Sequence, residues 1–139
     1  MAARVCPAVL DADASLYVSH GAPRLHGIEL DRGRPLFYDL GTFDFQTATE
    51  DDSYDAAVSQ SVIAECRFAG GRFRKVALTL IRLNEQGVRG PRPRHATARR
   101  SRMARRRALI LDRLTELSRP FGATIERSGE TAIVFGARD

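Results

Sequence analysis

The sequence predicts a sheet-rich α/β (α+β) fold with several β-hairpins and one long C-terminal helix. Short apolar runs alternate with glycine-containing turns until about residue 83, and the apolar period then changes to that of a helix near residue 98. Apolar residues make up 43% of the 139 residues, which is ordinary for a globular domain. No apolar run reaches about 18 residues, so no membrane-spanning helix is predicted.

The first part of the chain is predicted to form short strands joined by turns. The end of a helix near Leu10 precedes a polar break, and residues 16–18 form a strand that leads into a loop containing glycine and proline. Strands are also predicted at residues 27–30 and 35–40, with a tight turn at Gly33 between them. In α/β proteins functional side chains gather at the C-terminal ends of strands, so the loop after the first strand is a candidate site.

The rest of the chain predicts two further hairpins and the helix. Gly70 and Gly71 are a strong turn signal between two apolar strands, and Pro120 ends a helix whose apolar residues Ile110 and Leu114 lie on one face with Met103 and Leu117. The predicted elements are an acidic loop at 47–55, strands at 61–68 and 73–83, a loop at 84–97, a helix at 98–118 and a hairpin at 124–135.

Charge is distributed unevenly along the chain. Residues 1–66 carry 4 basic and 11 acidic side chains, whereas residues 67–139 carry 18 basic and 6 acidic ones. Nine arginines and no acid fall within residues 89–107. Arginine suits phosphate recognition, so Arg99, Arg102 and Arg106 are candidates for binding a polyanion or nucleic acid. The alternative is a solvated helix face, because no aromatic residue for base stacking lies in the run.

The candidate site is the loop at residues 19–27. His20 directly follows the first strand, where a neutral imidazole could ligate a metal ion, and the alternative is a loop histidine that only makes a hydrogen bond. Asp39 and Asp44 flank a glycine turn, and Glu29 lies on the opposing strand. Paired carboxylates for acid–base chemistry are one interpretation, and the favoured prediction is that they are turn and surface residues. The two cysteines, Cys6 and Cys66, have no metal-ligand spacing and are predicted to be free, buried thiols.

Three stretches of this region resemble a known family. Residues 13–21 read DASLYVSHG, residues 25–30 read LHGIEL, and residues 32–46 read RGRPLFYDLGTFDFQ. They resemble the CapA family of capsule or poly-gamma-glutamate synthesis proteins, which belong to the calcineurin-like metallophosphoesterase superfamily. The hairpin at Gly70 and the last helix also resemble that family's C-terminal part, so the resemblance covers nearly the whole chain.

The resemblance implies a partial metallophosphoesterase-like sandwich and a divalent metal such as manganese or iron. His20 stands at the position of the family's first loop histidine and is the implied metal ligand, with Arg24 and His26 as substrate-binding residues on the same loop. Pro23 stands where the family has a second histidine, and Thr42 replaces an asparagine. The implied substrate is a phosphorylated or anionic polymer, and no catalytic residue is assigned.

The family's earlier metal-binding motifs have no counterpart before residue 13. Residues 1–139 are therefore expected to be the C-terminal portion of such a domain, inactive as a phosphoesterase unless an N-terminal half or a partner chain completes it. A decayed gene product is the remaining alternative. The N-terminus does not resemble a signal peptide, so a cytoplasmic location is expected if Met1 is the true start.

Overall fold

A computed structural model of the chain describes residues 7–47, 56–83, 94–100 and 104–135. It confirms the sheet-rich α/β fold with one long C-terminal helix. The helices are α1 (Pro7–Asp11) and α2 (Ala104–Ser118), with 3₁₀ turns at Ala56–Ser59 and Arg119–Phe121. The strands are β1 (Tyr17–Val18), β2 (Ile28–Asp31), β3 (Arg34–Phe37), β4 (Asp44–Thr47), β5 (Gln60–Ala69), β6 (Arg72–Leu83), β7 (Arg94–Arg100), β8 (Ile125–Ser128) and β9 (Thr131–Phe135).

A small sheet carries the candidate loop. Its strand order is β1-β3-β2, with β1 parallel to β3 and β2 antiparallel to β3. The β2–β3 turn places both Arg32 (φ 52°) and Gly33 (φ 71°) in the left-handed region, as a two-residue hairpin turn requires. Because β1 and β3 are parallel, their C-terminal ends lie at the same edge of the sheet.

A larger sheet forms around the long strand β6. One edge of β6 pairs with β5, and its other edge pairs with β9 and, through Ile81–Leu83, with β7. Strand β4 extends the sheet beyond β7, and β8 extends it beyond β9. The turn at Gly70 and Gly71 between β5 and β6 confirms the predicted hairpin.

The core lies between the two sheets and α2. Large buried side chains from each part meet there, including Phe37 of the small sheet, Leu78 of the large sheet, and Ile110 and Leu114 of the helix. These two helix residues lie on the predicted apolar face, and α2 ends at Ser118, immediately before the 3₁₀ turn that contains Pro120. Met103 lies outside the described residues.

The predictions for residues 94–100 were wrong, and residues 101–103 lie outside the described residues. Residues 94–97 were expected in a loop and residues 98–100 in the helix, but all seven belong to β7. This arginine-rich strand lacks apolar alternation, and its structure comes from pairing with β4 and β6. The predicted acidic loop falls mostly on residues 48–55, outside the described residues, and the strand predicted at 35–40 ends at Phe37.

Candidate functional site

The loop at residues 19–27 is held by Asp39, which follows β3. One carboxylate oxygen of Asp39 accepts the amide hydrogens of Gly21 (3.1 Å) and Ala22 (3.0 Å). The other oxygen accepts the amide hydrogen of Gly41 at 2.9 Å, which forms an Asx turn. The Asp39 side chain is buried, with 2% of the residue exposed. Both carboxylate oxygens therefore serve to fix backbone, and the prediction of a surface aspartate was wrong.

Backbone hydrogen bonds hold the two ends of the same loop. The Ser19 amide donates to the Phe37 carbonyl at 2.8 Å, and the His26 amide donates to the Asp39 carbonyl at 3.1 Å. The Tyr38 amide donates to the Gly27 carbonyl at 3.2 Å. The loop is therefore tied to the end of β3 and the residues that follow it, at its start, its middle and its end.

The three site residues predicted on this loop are all exposed. His20 directly precedes the anchored amide of Gly21, and Arg24 and His26 lie between that anchor and the end of the loop. The structure thus presents two imidazoles and one guanidinium to solvent on one short, tethered segment. An exposed neutral imidazole can ligate a metal ion, and a guanidinium can bind a phosphate oxygen.

Helix α2 supports the loop from behind. The Ile28 amide donates to the buried Ser118 hydroxyl at 3.0 Å. A Cβ added to Gly27 would lie 2.3 Å from the Leu117 carbonyl oxygen and 2.8 Å from a ring carbon of Phe121. Only glycine fits this approach, so the glycine at the end of the loop is required by packing.

Tyr38 links the small sheet to the segment after α2. The Tyr38 hydroxyl donates a hydrogen bond to the Glu29 carboxylate, which is 9% exposed. The Tyr38 ring also packs on Phe121 with their centroids 4.8 Å apart. Glu29 is thus engaged in holding the hairpin and is not presented to solvent as a general acid or base.

Within the described ranges 7–47, 56–83, 94–100 and 104–135, no three or more His, Cys, Asp or Glu side chains form a group that could hold a metal ion. Asp39 and Glu29 both accept hydrogen bonds from other groups of the protein.

The arginine run is divided among several elements. The strand β7 places Arg99 directly opposite Arg82 of β6. Arg106 is in α2, and Arg102 lies outside the described residues. Arg107 forms an ion pair with Glu130 at 3.0 Å, which joins α2 to the β8–β9 turn. The run is therefore neither one strand nor one helix face, and at least one of its arginines supports the fold.

Sequence reasoning missed Asp39 as the anchor of the loop. A local signal existed, since an aspartate two residues before a glycine favours an Asx turn. Its contacts with Gly21 and Ala22 depend on the parallel pairing of β1 with β3, which no local pattern predicts.

Comparisons with known proteins give relatives but no family. No family model matches the chain. Two proteins of Sinorhizobium fredii, named uncharacterized protein y4sH and uncharacterized protein y4uA, are each 31% identical to it over the aligned part. Each alignment covers 84% of this chain and 33% of the relative, so the chain spans about a third of the length of these curated relatives. Among the described residues no helix is both long and apolar enough to cross a membrane.

Proposed function

We propose that this chain is the C-terminal portion of a CapA-like capsule or poly-gamma-glutamate biosynthesis protein related to metal-dependent phosphoesterases. In this proposal His20 is one ligand of a divalent metal such as manganese or iron. Arg24 and His26 bind a phosphorylated or anionic polymer substrate.

The tethered loop is the observation that supports this proposal. Asp39 fixes the backbone immediately after His20 through two amide hydrogen bonds, while the imidazole itself stays exposed. A ligand held on a fixed backbone loses little conformational freedom when a metal binds.

The chain is proposed to be incomplete as an enzyme. The described residues contain no group of ligands for a metal ion, and the curated relatives extend well beyond the matched part. An N-terminal half or a partner chain would supply the remaining ligands.

The test compares the 139-residue chain with any longer form of the protein isolated from its source cells. We expect hydrolysis of bis(p-nitrophenyl) phosphate with Mn²⁺ only from the longer form, and at least about a tenfold loss in His20→Ala, because one ligand of the metal is removed. His95→Ala is the matched control, since His95 lies in β7 and not on the loop. Unchanged hydrolysis in His20→Ala would contradict the ligand role. Hydrolysis by the 139-residue chain alone would contradict incompleteness.

A polyanion-binding function is the second candidate, and the composition of β7 favours it. Three of the seven residues of this strand are arginines, and the guanidinium group suits phosphate recognition. The triple change Arg99→Ala, Arg102→Ala and Arg106→Ala should then weaken binding to heparin and flatten its salt dependence. Arg72→Ala, in the exposed β5–β6 turn region, is the control. Salt-independent or unaltered binding would contradict this function.

A further inference from the structure

The strand β5 forms an edge of the large sheet. Among the described strands it pairs with β6 only, along its full length of 10 residues. An edge strand of this length carries a row of backbone groups that can pair with another chain.

The outward-facing groups of β5 follow from the turn that joins it to β6. The two-residue turn at Gly70 and Gly71 makes Ala69 and Arg72 a pair that exchanges hydrogen bonds. The register shifts between Arg67 and Phe68, where the extra residue, Arg74, lies on β6, so the alternation of β5 itself continues. This alternation points the N–H and C=O groups of Ala64 and Cys66 away from β6. Val62 lies two residues before Ala64, so its backbone groups point in the same direction. Its amide does point away from β6, since it donates to the Leu40 carbonyl at 3.0 Å.

We propose that a second copy of this chain pairs with the β5 edge in antiparallel orientation, with the two-fold axis at Cys66. In this register Glu65 lies opposite the second copy's Arg67, Ala64 opposite its Phe68, and Ile63 opposite its Ala69. The pairing uses residues 63–69 and leaves the bond between Val62 and Leu40 intact. The two large sheets become one continuous sheet.

Charge complementarity indicates that the chain that pairs with the β5 edge is a second copy of this protein. Glu65 and Arg67 carry opposite charges, have 66% and 64% of their side chains exposed, and pair with each other at 3.1 Å within one strand. A two-fold axis at Cys66 brings each glutamate opposite an arginine, twice in the dimer, which stabilises the strand pair. A two-fold axis at Glu65 would instead place two glutamates opposite each other, which is destabilising.

Side-chain size agrees with the same register. Ile63 and Phe68 are large apolar residues left 45% and 40% exposed. In the proposed pairing each faces an alanine, so both large side chains gain cover without a steric conflict. Two β5 edges are therefore complementary in side-chain charge and size, and their outward-pointing backbone N–H and C=O groups lie opposite each other.

The test measures the mass of the purified chain across a concentration series by sedimentation equilibrium. We expect a reversible dimer of twice 15.4 kDa. Ala64→Pro should make it monomeric, since proline removes an outward N–H that β6 does not use. Glu65→Arg should raise the dimer dissociation constant about tenfold, because two attractive pairs become repulsive. The double change Glu65→Arg with Arg67→Glu should restore dimerisation.

Controls separate this interface from loss of folding and from general charge effects. Circular dichroism checks each variant, and if Ala64→Pro does not fold, the single and double charge changes decide. Glu126→Arg reverses an exposed charge on β8 and should leave the dimer intact. A chain that stays monomeric, or a dimer indifferent to Glu65→Arg, would overturn the proposal. So would a double change that fails to restore the dimer.

Discussion

The carboxylate of Asp39 accepts the amide hydrogen of Gly21 across 18 residues of sequence. This contact joins the C-terminal ends of two parallel strands and fixes the backbone beside His20. The site loop and the fold therefore share one buried side chain, and changes to that side chain should affect both.

Replacing Asp39 should destabilise the protein and release the loop. Asp39→Ala leaves the amides of Gly21, Ala22 and Gly41 without their acceptor, and we expect a loss of about 3 kcal/mol in the free energy of unfolding. Urea denaturation gives that free energy, and amide hydrogen exchange should show lost protection at Gly21 and Ala22. Asp31→Ala, a change at an acid in β2 that is only partly buried, is the control. Equal stability of both variants would contradict the anchoring role.

Gly27 should not tolerate a side chain. Gly27→Ala places a methyl group against the Leu117 carbonyl, so we expect a loss of about 3 kcal/mol as α2 is displaced. Gly33→Ala is the matched control, because no atom lies within 4 Å of its added Cβ and its cost is only the positive φ, about 1 kcal/mol. Urea midpoints of the two variants decide the comparison. A smaller loss at Gly27 than at Gly33 would show that the approach of helix and strand is looser than described.

The Ser118 hydroxyl should contribute to the docking of α2. Ser118→Ala removes the acceptor of the Ile28 amide and leaves a buried donor unsatisfied, which costs about 2 kcal/mol. Thr115→Ala tests an exposed position on the same helix and should change stability by less than about 0.5 kcal/mol. Thermal and urea unfolding of both variants provide the measurement, and matching values would argue against a role for this hydrogen bond.

The Cys66 thiol predicts a pH effect on stability. Desolvation by burial raises the pKa of Cys66 above its ordinary value. A raised pKa in the folded state gives a contribution that is fully present below the unfolded-state pKa and is lost as the pH rises through the folded-state pKa. Between neutral pH and about pH 10, the wild type should therefore lose more unfolding free energy than Cys66→Ala. Parallel losses in the two proteins would contradict this.

Elements with strong local signals could be predicted from the sequence. The turns at Gly33 and Gly70, the apolar face containing Ile110 and Leu114, and the end of α2 at Ser118 each follow from a short pattern. Cys66 is a free thiol as expected, although it is only partly buried. The exposed loop with His20 was located correctly, while its role stays a prediction.

Features that depend on distant pairing could not be predicted. Residues 94–100 contain good helix formers and no apolar alternation, yet they form β7 because β4 and β6 offer edges to pair with. The burial of Asp39 requires β1 beside β3, and the glycine at position 27 is required by α2, about 90 residues later. In each case the cause lies in a contact far along the sequence.

The native mass of the protein tests the central claim most directly. An antibody raised against the purified 139-residue chain would detect the protein in lysate of its source cells, and mass spectrometry of the band would identify its peptides. We predict a band well above 15.4 kDa that contains peptides of residues 7–47 together with residues absent from this chain. A single band at 15.4 kDa would contradict the account of this chain as part of a larger phosphoesterase-like protein.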